Sequence, residues 1–452
     1  MGAGSSGRGG MRAEGAGFTK AMRRTHVIYM PDMLPYHGQL LSAAFRFAGY
    51  RLKAVPYAEA YPKEAYSTVS QDYCSPGIHI IGNALAFVKG REKELGPEIF
   101  HRVQAGDIPK GAGRKKKSGA AERRTGVYGI AFLEPQSFGI CKAGNLYHAL
   151  INSLRRSGFS DVPVISLNLH DREKHDGFRP GLRLLAASFV SVLYSDLLML
   201  LTLQVRPCEK VPGSADRLRE KWLHVLGRDI SRGRALLFRR NRYRQILDSY
   251  LKLDRHGTGT GDQRIRAGIT GEIYSKCAPA GNRRLEEFLK EQGVEYRIGG
   301  FLNYLIYVVY TEGKIRRLGG TAGPVYGAAC LVLQKVMEAF QRELYREIRK
   351  AGFVCDSEFR RMEQYASQVI SSDYNIGDGW LTAAEAADDI RLGYRNVLLC
   401  HPFTCLVSHV GSRGVMKNLK KRYPEARITS IEYDIHGSKA MLDSRVMMAL
   451  SR

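Results

Sequence analysis

Three cysteines stand in glycine-containing turns far apart in the chain: Cys74 in QDYCSPGIHIIGN, Cys141 in FGICKAGNLYHAL and Cys405 in PFTCLVSHVGSRG. Around Cys405 a short apolar run, a turn, a helix and a second strand follow in order, which puts the thiol at the mouth of a strand-to-helix turn. Backbone N–H groups and the helix N-terminus favour a thiolate there, and a thiolate is a ligand for a soft metal or an iron–sulfur cluster. Such clusters take ligands from distant loops, because iron requires geometry and not adjacency in sequence. The three turns are therefore expected to converge on one site. Taken singly, each cysteine also reads as a small buried hydrophobe.

Other residues could join that chemistry. Cys400 and Cys405 form a C-x4-C pair, looser than the C-x2-C runs of zinc and ferredoxin sites. Cys277, in EIYSKCAPAGN, is an outside candidate, whereas Cys208, Cys330 and Cys355 lack the turn context. His409, four residues after Cys405, is a candidate proton donor or ligand; His401 and His79 have less to recommend them. Gly377 and Gly379 in NIGDGWLTAAEAADDI open a helix where an anion could sit, the plain alternative being a tight helix entry. ITGEIYSKCAPAGNRRLEEFL resembles a Rossmann first turn in placement but lacks G-x-G-x-x-G, so classical dinucleotide binding is disfavoured; no G-x-x-x-x-G-K-[ST], G-x-S-x-G or H-E-x-x-H pattern occurs, so P-loop, serine hydrolase and zincin readings have no sequence support.

The elements that must position these turns alternate. THVIYMP, RLKAVPY, GVYGIAFLEP and VPVISLN read as strands with helical segments between them, the grammar of a parallel sheet covered on both faces. The same grammar returns in IRAGITGEIY, EYRIG, NVLLCHPF and RITSIEYD. The expected fold is α/β: two Rossmann- or flavodoxin-like parallel-sheet domains, a helical intermediate segment, and an interdomain cleft for the cluster. The boundaries read as a Gly/Ser/Arg-rich disordered tail at 1–24, a first domain at 25–175 with a basic loop insert at 107–125, a mainly helical segment at 176–262, and a second domain at 263–452. Ligands in such folds lie beyond the carboxyl ends of the strands, where Cys141 and Cys405 fall.

Composition sets the outer limits. A chain of 452 residues with 44% hydrophobic content can bury a sizeable core. Eight cysteines in this length make no disulfide scaffold, and without a secretory apolar run a reducing, cytoplasmic compartment is expected. The net charge of +25 raises the alternative of a basic nucleic-acid-binding protein with buried structural cysteines. Against it, the basic runs at 111–124 and 232–244 read as solvated loop and helix faces, and no nucleic-acid motif is present. Leu184 to Val205 has the length of a bilayer span, but Asp196 at its middle favours a buried helix.

Beyond these readings, the chain resembles a known family. PFTCLVSHVGSRGVMKNLKKRYP with ITSIEYD is similar to the C-terminal signature of the 2-hydroxyacyl-CoA dehydratase family, particularly the dehydratase-like module of large acyl-CoA dehydratase activase-related proteins. IYMPDMLPYHGQLLSAAFRFAGY with QDYCSPGIHIIGN, GICKAGNLYHALINSLRRSGFSDVPVISLN, SDLLMLLTLQVRPCEKVPGSAD, ITGEIYSKCAPAGNRRLEEFLKEQGVE and IGDGWLTAAEAADDI resemble its other motifs in order, over roughly residues 25 to 450. The resemblance implies a [4Fe–4S] or related cluster on Cys74, Cys141 and Cys405, with an open fourth position. It also implies a separate ATP-hydrolysing activator that injects one electron, and an acyl-CoA substrate dehydrated through a ketyl radical. Homo- or hetero-dimers are compatible with it, and no membrane is involved. The chain departs from the family at Ser75–Pro76, where a Tyr-Pro is common, and at Cys400, which stands one position away from the family's cysteine and so has less support as a fourth ligand. A non-catalytic electron-transfer subunit is the nearest alternative.

Overall fold

The computed structural model describes residues 15–56, 63–70, 72–107, 128–136, 141–167, 175–235, 239–253, 264–319 and 324–450. Eight strands form two four-stranded sheets, parallel throughout. The first contains β1 (His26–Met30), β2 (Leu52–Ala54), β3 (Gly129–Pro135) and β4 (Val164–Leu167), in the order β2-β1-β3-β4. The second contains β5 (Arg266–Gly271), β6 (Glu295–Ile298), β7 (Asn396–Pro402) and β8 (Arg427–Tyr433), in the order β6-β5-β7-β8. All eight coincide with the strands expected from sequence. The pattern is that of a doubly wound sheet, whose order reverses between β1 and β3 and again between β5 and β7.

Burial explains why these segments are strands. β3 and β7 are buried along nearly their whole length, as central parallel strands with helices on both faces must be. The edge strand β2 is only three residues long, which limits the unpaired backbone it presents.

The helical part is wider than the expected 176–262 segment. The helix Leu182–Val205 runs through the largest apolar core, together with Ser214–Ser231 and Arg239–Leu251. Residues of Phe301–Gly319 and Pro324–Lys350, which follow β6, join the same core through Leu302, Ile306, Leu344 and Ile348. The bilayer-length helix is thus a core element, with Asp196 fully buried and satisfied: its carboxylate lies 2.8 Å from His37 Nε2 and accepts from the backbone N–H groups of Phe301 and Leu302.

The expected disordered tail ends earlier than residue 24. Phe18 is 1% exposed and packs with Ile28, Phe45 and Phe178, its N–H donating to His175 Nδ1 at 3.2 Å. One aromatic in a Gly-rich stretch is enough to dock it. Residues 1–14, the basic insert apart from Asp107, and the Gly-rich break at 255–263 lie outside the described residues. In the second basic run, Arg239, Arg240, Arg242 and Arg244 all meet acidic partners in the fold, namely Glu343, Glu347, Asp229 and Glu347 again.

Candidate functional site

Each of the three turn cysteines is the residue before a helical turn. Cys74 precedes Ser75–Leu95, Cys141 precedes the short turn Lys142–Asn145, and Cys405 precedes Leu406–Ser408. All three have extended backbone there and are half-buried. The Ser408 N–H donates to Cys405 Sγ at 3.4 Å.

Specific bonds pin the three loops together. Tyr73 Oη donates to the Lys142 carbonyl at 2.9 Å and Lys142 Nζ to the Asp72 carbonyl, tying the Cys74 loop to the Cys141 loop. Tyr374 Oη donates to the Val407 carbonyl at 3.0 Å, tying the glycine loop of Ile376–Gly379 to the Cys405 turn. Gly377 (φ 54°) closes the triangle: a Cβ there would stand 3.7 Å from Cys141 Cβ and 3.2 Å from Val407. The charge of Cys141 acts on Cys74, and those of Cys405 and Cys141 both act on Tyr374. The three cysteine turns, distant in sequence, are therefore neighbours in the fold.

Cys400 does not join them. It is fully buried on β7 among Ile269, Ile431 and Tyr433, with its sulfur 3.9 Å from Tyr433 Oη. Its place in the strand makes it a core residue, which removes the fourth-ligand reading. Cys277, half-buried, packs against the same core.

Burial overturns one electrostatic expectation. Desolvation pushes the Cys74 and Cys405 thiols up to about 12, against the lowering effect of the N–H groups of Gly77 and Ser408, and the Glu272 charge works in the same direction as burial. Without a cation at the site these sulfurs are thiols. At Cys405 a helical turn of three residues supplies too small a dipole to reverse that, and at Cys74 burial outweighs even the N-terminus of the 21-residue helix Ser75–Leu95.

Acidic groups that sequence reading missed stand beside the thiols. Glu272 follows β5 and caps the next helix, its carboxylate accepting from the N–H groups of Tyr274 and Ser275. Burial raises its pKa, against those same hydrogen bonds. Asp378, between the two glycines, is pushed up to about 8 by burial, then by the charges of Glu272 and Glu385, with Lys276 opposing. Burial also works against the Lys276 charge, but Glu385 at 2.6 Å outweighs it and holds the ammonium ion. The available signal was the G-D-G context; the raised pKa depends on residues about a hundred positions away and could not be read from it.

A cavity of about 130 Å³ opens at the carboxyl ends of β1, β2 and β3. Asp32, Asn83 and Glu134 line it from the first half, Tyr274, Arg284 and Glu287 from the second. Burial raises Glu134 well above the carboxylate range, and Asn83 Oδ1 is buried without a hydrogen-bond partner. The charge of Glu134 acts on Tyr73, as do those of Cys74 and Cys141, so cavity and thiols adjoin.

His409 is engaged elsewhere. Its Nδ1 lies 2.7 Å from the Cys405 carbonyl, its Nε2 faces Glu432, and its ring meets that of His401. His79 is buried beside Tyr274, and burial pulls its pKa down to about 4.

As placed, the three thiols are not a single-ion site. One ion needs its ligands within roughly 2.3 Å of itself and hence close to each other, and among the described residues the three sulfurs do not form such a group. Ligands that each bind a different iron stand farther apart. Neither a family model, nor a curated protein, nor a solved structure matches the chain.

Proposed function

We propose that the chain is a cytoplasmic iron–sulfur component of the 2-hydroxyacyl-CoA dehydratase type, with Cys74, Cys141 and Cys405 holding a [4Fe–4S] or related cluster. A separate ATP-hydrolysing activator would reduce it. The observation that supports this reading is that three cysteine turns distant in sequence are tied to one another, with acids of raised pKa beside them and a cavity adjoining.

When bound, such a cluster supplies a low-potential electron and an open iron that polarises a carbonyl. The chain's own residues supply the rest. Asp378, protonated up to about pH 8, can give a proton to a departing hydroxide. Glu134, whose pKa burial raises, and Asn83 Oδ1, an acceptor without a partner, line the cavity where the polar end of a small acyl group would sit. A cavity of about 130 Å³ suits such a group and not a whole nucleotide carrier. Tyr304, half-buried and close enough for the Asp378 and Cys141 charges to act on it, covers part of the site.

Anaerobic purification tests the proposal. Iron and sulfide are expected near the stoichiometry of one cluster, lost in Cys74→Ala, Cys141→Ala and Cys405→Ala but kept in Cys400→Ala. Full iron content in Cys405→Ala would sink the ligand assignment. Turnover of a 2-hydroxyacyl-CoA with an ATP-dependent activator then separates a dehydratase from an electron carrier.

A further inference from the structure

A second group of ligand atoms lies one helical turn beyond Cys405. The parallel register of β7 and β8 sets His401 directly beside Glu432. The chain then turns through Thr404, a non-glycine residue at φ 61°, and enters the π-helical turn His409–Arg413, which brings His409 back over the strand ends. Single π turns of this kind are frequent at functional sites. One ligand atom from each of His401, His409 and Glu432 lies within 4.8 Å of the other two.

The close hydrogen bonds around the group take one ring nitrogen of each histidine and leave the other. His409 Nδ1, at 2.7 Å from the Cys405 carbonyl, must carry the proton, because a carbonyl oxygen only accepts. In the neutral ring that leaves Nε2 with its lone pair toward Glu432, 3.5 Å from Oε1. Glu432 Oε1 is buried with no hydrogen-bond partner, an arrangement that costs free energy unless something binds there. The other oxygen, Oε2, faces Arg413 at 3.3 Å, which fixes the carboxylate plane. His401 is fully buried; its Nε2 lies 2.6 Å from Ser430 Oγ, which can accept from it, and its Nδ1 lies 3.5 Å from the Pro402 carbonyl, at the limit of a hydrogen bond, so Nδ1 is the ring atom left for an ion.

We propose that His401, His409 and Glu432 form a mononuclear site for a divalent transition-metal ion of the zinc class, separate from the three-thiol site. Two imidazoles and one carboxylate, each held by an outer hydrogen bond or ion pair, are the ligand set and second shell of three-coordinate protein sites that leave a further position open. The ion would take up the orphaned Glu432 oxygen. It would also tie β7, β8 and the Cys405 turn together, stiffening the turn that presents the thiol.

Cobalt(II) titration of the full chain under anaerobic conditions tests this, with zinc(II) as competitor. The expected result is about one equivalent bound, a visible ligand-field spectrum without an intense sulfur-to-cobalt band, and displacement by zinc. Glu432→Gln and His409→Gln should each weaken binding by about 100-fold or more, with the unfolding temperature of the metal-free variants near that of the parent. The triple variant Cys74→Ser, Cys141→Ser, Cys405→Ser should keep the site. No binding up to millimolar cobalt, unchanged affinity in Glu432→Gln, or loss of binding in the triple cysteine variant would each overturn the proposal. The first of these would mean that Glu432 merely pairs with Arg413 and His409.

Discussion

Asp378 carries the clearest pH signature of any residue in the cleft. Its folded pKa of about 8 lies above the unfolded value near 4, so the folded chain keeps a proton that the unfolded chain releases across that interval. Stability linked to this group is therefore full at low pH and is lost as the pH rises through about 8. Asp378→Asn cannot lose that proton. Its melting temperature should fall less between pH 5 and pH 9, and exceed that of the parent at pH 9 by about 2 °C or more; superimposable pH profiles would mean that the raised pKa is not real. The cysteines were legible from their turns, but Asp378 and Glu272 were not. A carboxylate in a loop looks the same in sequence whether water or protein surrounds it, and here the surroundings come from β5, the Gly377 loop and the Leu381–Arg391 helix.

At the level of elements, the strand–turn–helix after β7 is held shut by close backbone approaches. A Cβ on Gly411 would stand 2.7 Å from the Gly379 carbonyl oxygen and 2.8 Å from the Tyr374 ring, so the π turn and the glycine loop touch where only hydrogen fits. Gly411→Ala should lower stability by about 1–3 kcal/mol in denaturant unfolding, and should reduce iron retention more than a surface Gly→Ala at Gly90, where a Cβ meets nothing within 4 Å. Equal effects at the two positions would show that the contact does not hold the turn. The strands themselves were readable because each is a short apolar run bounded by turn residues. What sequence did not reveal was the opposite pleating of neighbours on β7: Cys400 and His401 are adjacent, yet Cys400 packs into the core cluster with Ile431 while His401 stands beside Glu432.

Across the whole molecule, Asp196 joins three regions. From the central helix it reaches His37 of the first half and caps the Phe301–Gly319 helix of the second. Asp196→Ala would strand a buried imidazole and two buried N–H groups and should cost about 3–5 kcal/mol, while Asp196→Asn, which keeps an acceptor, should cost less; thermal unfolding followed by circular dichroism ranks them. The long apolar helix was evident from its composition. Its sharing of a core with helices a hundred residues later was not, because hydropathy marks a buried face without naming what covers it. The matching strand order of the two sheets has a last consequence. In that order β3 and β7 hold the same place, so Cys141 after β3 and Cys405 after β7 are topological counterparts. Cys74, at the start of the long helix after β2, has its counterpart at Gly300, before the helix after β6. A side chain there would collide with the Asp196 and Asp356 carboxylates, 2.7 and 2.9 Å from a Cβ. The same carboxylate that fastens the halves thus leaves no room for a side chain at the position that corresponds to Cys74.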